Sequence, residues 1–188
     1  MKITEEEGKF LLELARRTIQ TYLESGEVLN LKPEEVPHPN LTAEMACFTT
    51  LYLDGNLRGC IGSLEISRPL VFDVIDNALN AALRDPRFQP VTPEEFSRVK
   101  MEISVLTPPE KLEVSSPEDL LEKLVPRKHG LIIKKGWNRA TFLPIVWEQL
   151  KEKEKFLGYL CMKAGLAPEE WKEKGMEFFV YEAQEFTE

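Results

Sequence analysis

The sequence predicts an α+β fold: hairpins and mixed sheets flanked by helices, in two related halves that share one core. Three observations predict it. Runs of strand formers are joined in pairs by tight-turn signals, as where Asp54-Gly55 separates Met45–Leu53 from Leu57–Ser63. Longer segments with apolar residues at helical spacing stand apart from these pairs, so helices and strands segregate. The order hairpin, long helix, short helix, strand at roughly 45–106 recurs as hairpin, two helices, strand at roughly 130–186. That recurrence reads as a diverged internal duplication, in order of elements rather than residue identity. No linker separates independent domains, so 1–188 is expected to be a single domain, with lobes at about 1–110 and 111–188.

Each element has its own signal. Thr4 and Glu7 form a T-x-x-E capping box, and Phe10, Leu11, Leu14, Ile19, Tyr22 and Leu23 follow at helical spacing to about Glu24. Ser25-Gly26 stops that helix. Leu29 to Asn40 holds Pro33, Pro37 and Pro39 and reads as irregular connection. The first hairpin comes next. Pro69 opens a helix with Leu70, Val71, Val74, Ile75, Ala78, Leu79, Ala82 and Leu83 on one face, ended by Arg84-Asp85-Pro86 because proline disfavours helix in the preceding residue. Thr92-Pro93-Glu94-Glu95 is a second capping box, opening a short helix. Val99, Met101, Ile103 and Val105 alternate with polar residues, as in a half-buried strand. Ser116-Pro117 begins another short helix. Gly130–Lys134 and Arg139–Leu143 flank a Lys135-Gly136 turn, Pro144–Leu150 is a short helix, and Glu154–Ala164 is a longer one stopped by Gly165. Met176–Phe186 closes the chain as a strand.

Bulk properties exclude several classes. A chain of 188 residues can bury about 70% of its unfolded surface, enough for a core. No apolar run approaches the roughly 18 residues of a membrane span, and the acidic start Met1–Glu7 is unlike a signal peptide, so a cytoplasmic protein with no membrane contact is expected. Cys47, Cys60 and Cys161 are too few and too scattered for a disulfide scaffold. No CxxC pair occurs and His38 and His129 stand apart, which argues against zinc. With no glycine-rich phosphate loop either, no cofactor is expected. The formal charge of −8, with no long basic run, disfavours nucleic acid as a partner.

The segment Leu57-Arg58-Gly59-Cys60-Ile61-Gly62-Ser63 is the leading candidate for chemistry. Gly59 and Gly62 leave the backbone bare, so a ligand or another backbone can come close. Strand alternation sets Arg58, Cys60 and Gly62 on one face, and a cation beside a thiol favours the nucleophilic thiolate. On this reading Cys60 is a nucleophile or thiol carrier and Arg58 a charge stabiliser, with Gly59, Gly62 and Ser63 lining the site and no general base assigned. The bland reading stands beside it: a free cysteine is commonly a small buried hydrophobe, and the glycines then mark tight packing. Asp85 and Arg87 crowd the next helix end. They either bind a small anionic ligand through the Arg fork or form an ion pair that fixes the loop. Cys161 and Cys47 read as core. Phe142 and Trp147 read as core or as the lining of a groove.

These segments together resemble a known family. LRGCIGS, then Glu65 and Arg68-Pro69-Leu70, "ALRDPRFQPVTPEE", "EISVLTPPEKLE", "TFLPIVWEQL" and "FLGYLCMKAGL" are similar, from about Lys9 to Phe186, to the AMMECR-like family, whose microbial members are also labelled AmmeMemoRadiSam system protein A. The resemblance implies an α+β fold with two related halves and no settled activity. It implies that LRGCIG, here Leu57 to Gly62, is the hallmark segment. Ser63 stands where members more often carry Thr, and Ile145 where they often carry Gln. It further implies two protein partners by genome context, a Memo-like protein and a radical S-adenosylmethionine enzyme. The chain has no CxxxCxxC motif and is not itself the radical enzyme. Two functions are therefore expected: a ligand-binding or thiol-dependent site at LRGCIG, or a non-catalytic adaptor that docks those partners.

Overall fold

The computed structural model describes residues 2–64 and 66–188, so Met1 and Glu65 of the motifs above lie outside the described residues. Helix α1 spans Glu5–Ser25, with the Thr4/Glu7 capping box formed in both directions and Gly26 closing it at φ 75°. Two short 3-10 turns, Pro33–Glu35 and Pro39–Thr42, occupy the proline-rich connection. Strands β1 (Ala46–Leu53) and β2 (Asn56–Gly62) form the first hairpin, and both turn residues take positive φ, Asp54 at 51° and Gly55 at 81°. Helix α2 (Leu70–Leu83), short helix α3 (Pro93–Phe96) and strand β3 (Val99–Leu106) follow. Strand β4 (Glu110–Lys111) and helix α4 (Pro117–Lys123) lead to the second hairpin, β5 (Gly130–Lys135) and β6 (Asn138–Phe142). Its turn is Gly136-Trp137, one residue later than the sequence reading places it. A 3-10 turn at Pro144–Glu148 precedes helix α5 (Lys153–Lys163).

The α+β class stands, and three details differ from expectation. The ladders β1–β2, β1–β3, β4–β7, β5–β6 and β5–β7 are antiparallel, where mixed sheets are expected. The closing strand is two strands, β7 (Glu177–Tyr181) and β8 (Ala183–Thr187), which belong to different sheets. Among the described residues the buried apolar side chains form two clusters, where one shared core is expected.

The chain divides into two compact units, 1–107 with 184–188, and 108–183. The first sheet has the order β2-β1-β3-β8 and the second β4-β7-β5-β6. Each is a hairpin whose first strand pairs with the strand that follows the helices. In the first unit, α1 and α2 supply the buried Leu11, Ile19, Leu70, Val71 and Val74, which join Cys47, Leu51, Met101 and Ile103 of the sheet. Full burial of each such side chain contributes roughly 1.5–3 kcal/mol. In the second, Trp147 stacks on Phe156 at 3.7 Å with the planes 2° apart, and Phe142 meets Phe156 edge-on at 5.3 Å. Trp147 and Phe142 are thus packing residues. The Trp147 indole donates to the His129 carbonyl (2.7 Å), and the Val125 amide donates to His129 Nδ1 (3.3 Å), so this histidine serves local structure. No described helix is long and apolar enough to cross a membrane.

Candidate functional site

The hairpin does not run in simple alternation. A two-residue turn at Asp54-Gly55 pairs Leu53 with Asn56 and Tyr52 with Leu57, and then the register shifts, so that Leu51 faces Gly59 and Thr50 faces Cys60. Arg58 is the extra residue of a β-bulge, the device that re-aims a side chain and tightens twist. Its guanidinium reaches Glu95, donating from Nη2 to Oε2 (2.9 Å) and from Nε to Oε1 (3.3 Å), and also donates to the Pro90 carbonyl (3.4 Å). Glu95 is the capping-box glutamate of α3 as well, accepting from the Thr92 amide at 3.1 Å. Hydrogen bonding from Arg58 holds the Glu95 carboxyl below its ordinary value. Arg58 therefore ties β2 to α3 and is not the expected neighbour of the thiol.

Both glycines are filled by the protein itself. A Cβ on Gly59 would lie 2.2 Å from the Ala81 carbonyl oxygen, so its bareness lets α2 approach the sheet. A Cβ on Gly62 would lie 2.3 Å from the Phe48 ring and 2.4 Å from the Cys47 carbonyl. Ser63 continues this pairing, donating its amide to the Cys47 carbonyl (3.3 Å). Close packing accounts for both positions, as the blander of the two readings expects.

Cys60 is half-buried on the edge strand β2, and its two outward backbone groups are taken by one ion pair. Its amide donates to Asp85 Oδ2 (2.9 Å), and Arg87 Nη2 donates to its carbonyl (3.3 Å). Asp85 and Arg87 bind each other through a two-pronged contact, Nε to Oδ1 at 2.9 Å and Nη2 to Oδ2 at 2.7 Å. The Asp85 residue is 4% exposed and the Arg87 side chain 53%. Hydrogen bonds from Arg87, reinforced by the Cys60 amide, hold the Asp85 carboxyl well below the usual carboxylate range. The loop thus caps the sheet edge as a neighbouring strand would. Phe88 lies under both guanidinium groups, 5.8 Å from that of Arg58 and 5.4 Å from that of Arg87.

The thiol meets groups from three other places. Thr50 Oγ1 on β1 donates to Sγ at 3.2 Å. Burial is the main influence and pushes the Cys60 thiol up. The Thr50 hydrogen bond and the Arg87 charge oppose it, while Asp85 and Glu102 add to it. Glu102 of β3 faces Thr50 in register, so Cys60, Thr50 and Glu102 form one row across three strands. Burial raises the Glu102 carboxyl, and Glu185 adds to that. Thr50 lies outside every quoted motif, and Glu95 and Glu102 fall within quoted segments without being singled out as site residues. Counted from the turn without the bulge, Cys60 would face Thr49.

The other thiols are buried. Cys47 donates its amide (3.0 Å) and its thiol (3.3 Å) to Asp73 Oδ2, and Asn77 donates to the same oxygen (3.0 Å) and to the Cys47 carbonyl (3.1 Å). This buried cluster ties β1 to α2, and burial pushes the Cys47 thiol well up. Among the described residues no group of three or more His, Cys, Asp or Glu is placed to hold a metal.

With this geometry in place, comparison with known proteins decides the lineage. The AMMECR1 family matches residues 12–186. The chain belongs to the AMMECR1 family. Similar relatives of this AMMECR1 chain include protein MK0488 of Methanopyrus kandleri, 43% identical with 100% of this chain and 91% of the relative covered. Protein MJ0810 of Methanocaldococcus jannaschii is 41% identical, with 99% and 92% covered. The crystal structure of the uncharacterized protein PH0010 from Pyrococcus horikoshii is similar at a TM-score of 0.92 and 38% identity, covering 100% of this chain and 94% of that one.

Proposed function

We propose that this AMMECR1-family chain carries a thiol-dependent ligand site on strand β2, with Cys60 as the group that meets the ligand. One observation carries the reading: a dedicated ion pair, Asp85–Arg87, holds both free backbone groups of a single half-buried cysteine. Such clamping fixes a side chain at a defined position, which a packing cysteine does not require. The half-exposed guanidinium of Arg87 supplies positive charge beside it, so the ligand class is small and anionic. Asp85 positions that guanidinium, and Ser63 borders the site at the strand end. Any chemical step would use Cys60 as its nucleophile. A cytoplasmic setting suits three free thiols. The test is peptide-resolved alkylation of the folded protein by iodoacetamide. Cys60 should react while Cys47 and Cys161 stay inert until unfolding. A Cys60 as inert as the other two would end the reading.

A second reading is favoured by a different observation. Trp137 is fully exposed at its hairpin turn, and Tyr159 and Met162 on α5 are 52% and 54% exposed. Apolar side chains left in water suit a non-catalytic adaptor. Its partners would be the Memo-like protein or the radical S-adenosylmethionine enzyme that the family resemblance implies. Purified partner should co-elute with the wild type and be lost with Trp137→Ala. Equal co-elution by both would remove Trp137 from the contact.

A further inference from the structure

We propose that Thr50 is the positioning residue of Cys60, its hydroxyl aimed at the sulfur so that one thiol rotamer and the thiolate form are both favoured. This rests on the reading of Cys60 as the group that meets the ligand, and it adds the residue that prepares the thiol. The bulge at Arg58 moves β2 by one residue against β1, and only then does Thr50 rather than Thr49 face Cys60. Thr49 is fully buried on the opposite side of the strand and its hydroxyl has no hydrogen-bond partner among the described residues. Thr50 is itself buried at 6% exposure, and its Oγ1 lies 3.2 Å from Sγ. A buried hydroxyl seeks a partner, and here that partner is the sulfur.

The groups around the sulfur divide by sign. Arg87 from the loop after α2 favours the thiolate, as does the Thr50 hydroxyl from β1. Asp85 from the same loop and Glu102 from β3 disfavour it, and Tyr52 lies within electrostatic reach on β1. Burial works against the charged form and pushes the thiol up, and the Thr50 hydroxyl and the Arg87 charge are what oppose it. Arg58 takes no part, because its guanidinium is committed to Glu95.

The experiment is the pH dependence of Cys60 alkylation by iodoacetamide, in wild type, Thr50→Val and Thr50→Ser. The thiol first loses its proton to water. The thiolate sulfur then displaces iodide, forming the C–S bond as the C–I bond breaks. Loss of a hydrogen bond to the charged form should move the midpoint up by roughly 0.4–1 pH unit and slow the reaction about 3–10-fold at pH 8. Thr50→Ser keeps the hydroxyl and should return the rate to within about twofold of wild type. Continued inertness of Cys47 and Cys161 reports that each variant is folded, and Thr50→Ala replaces Thr50→Val if the latter does not fold. A reactive wild-type Cys60 whose profile is the same in Thr50→Val overturns the role of Thr50 and leaves the thiol site standing. An inert wild-type Cys60 overturns both.

Discussion

At the scale of single residues, the two glycines of LRGCIG are the sharpest case of a motif whose meaning lies in packing. Gly59 sits against a backbone carbonyl of α2, which cannot swing aside as a side chain can. Gly59→Ala should therefore lower stability by about 1–3 kcal/mol, measured by urea unfolding. An unchanged midpoint would mean that α2 yields to the extra methyl. Asp85 gives a prediction in pH. Its carboxyl is held low mainly by Arg87, whereas in the unfolded chain it titrates near 3.9. The depressed folded value means its contribution is complete above the unfolded pKa and is lost as pH falls through the folded one. Asp85→Asn should be less stable than wild type by roughly 1.5–3 kcal/mol at pH 7. The gap should narrow from about pH 5 downward; a gap constant to pH 2 would assign the loss to shape rather than charge.

At the scale of elements, β2 is held at two points by groups from the segment that follows it. The Arg58–Glu95 contact joins it to α3, and the Asp85–Arg87 pair covers its edge. Because Glu95 also closes the capping box of α3, one carboxylate serves two elements. Glu95→Ala should cost about 1–3 kcal/mol in chemical denaturation and raise amide exchange in both β2 and α3. Exchange confined to α3 would show that the clamp on β2 does not depend on Glu95. Helices and capping boxes were legible beforehand, since Thr4/Glu7 and Thr92/Glu95 each satisfy local donors with local acceptors. The clamp was not, because its partners lie 25 to 37 residues apart and no local periodicity joins them.

At the scale of the whole molecule, the expected duplication has a topological counterpart. Strands β2-β1-β3 of one sheet match β6-β5-β7 of the other, and each sheet is completed by a fourth strand from the opposite end of the chain's order. Strand β4 follows β3 but pairs with β7. Strand β8 follows β7 but lies beside β3. The two halves thus exchange their last strands. Phe186 on β8 fills the space over Gly8 of α1, and Glu188 binds Arg16. Removing residues 183–188 should therefore expose the amides of β3 and α1 to exchange. Retained protection there would show that β8 is dispensable to the first sheet.

The sequence by itself determined the α+β class, the helices with their caps, the two hairpins, the buried Cys47 and Cys161, and the family. Each of these is written in short-range pattern: apolar spacing, turn residues and ordered motifs. Only the tertiary structure decided that the last strand divides between two sheets, that Arg58 serves Glu95 while Arg87 serves Cys60, and that Thr50 faces the thiol. The division of the last strand rests on long-range strand pairing that no local pattern encodes; for the other two the physical reason is the bulge at Arg58. One unpaired residue displaces every pairing beyond it, and whether a strand bulges depends on what packs against it, here α2 and α3.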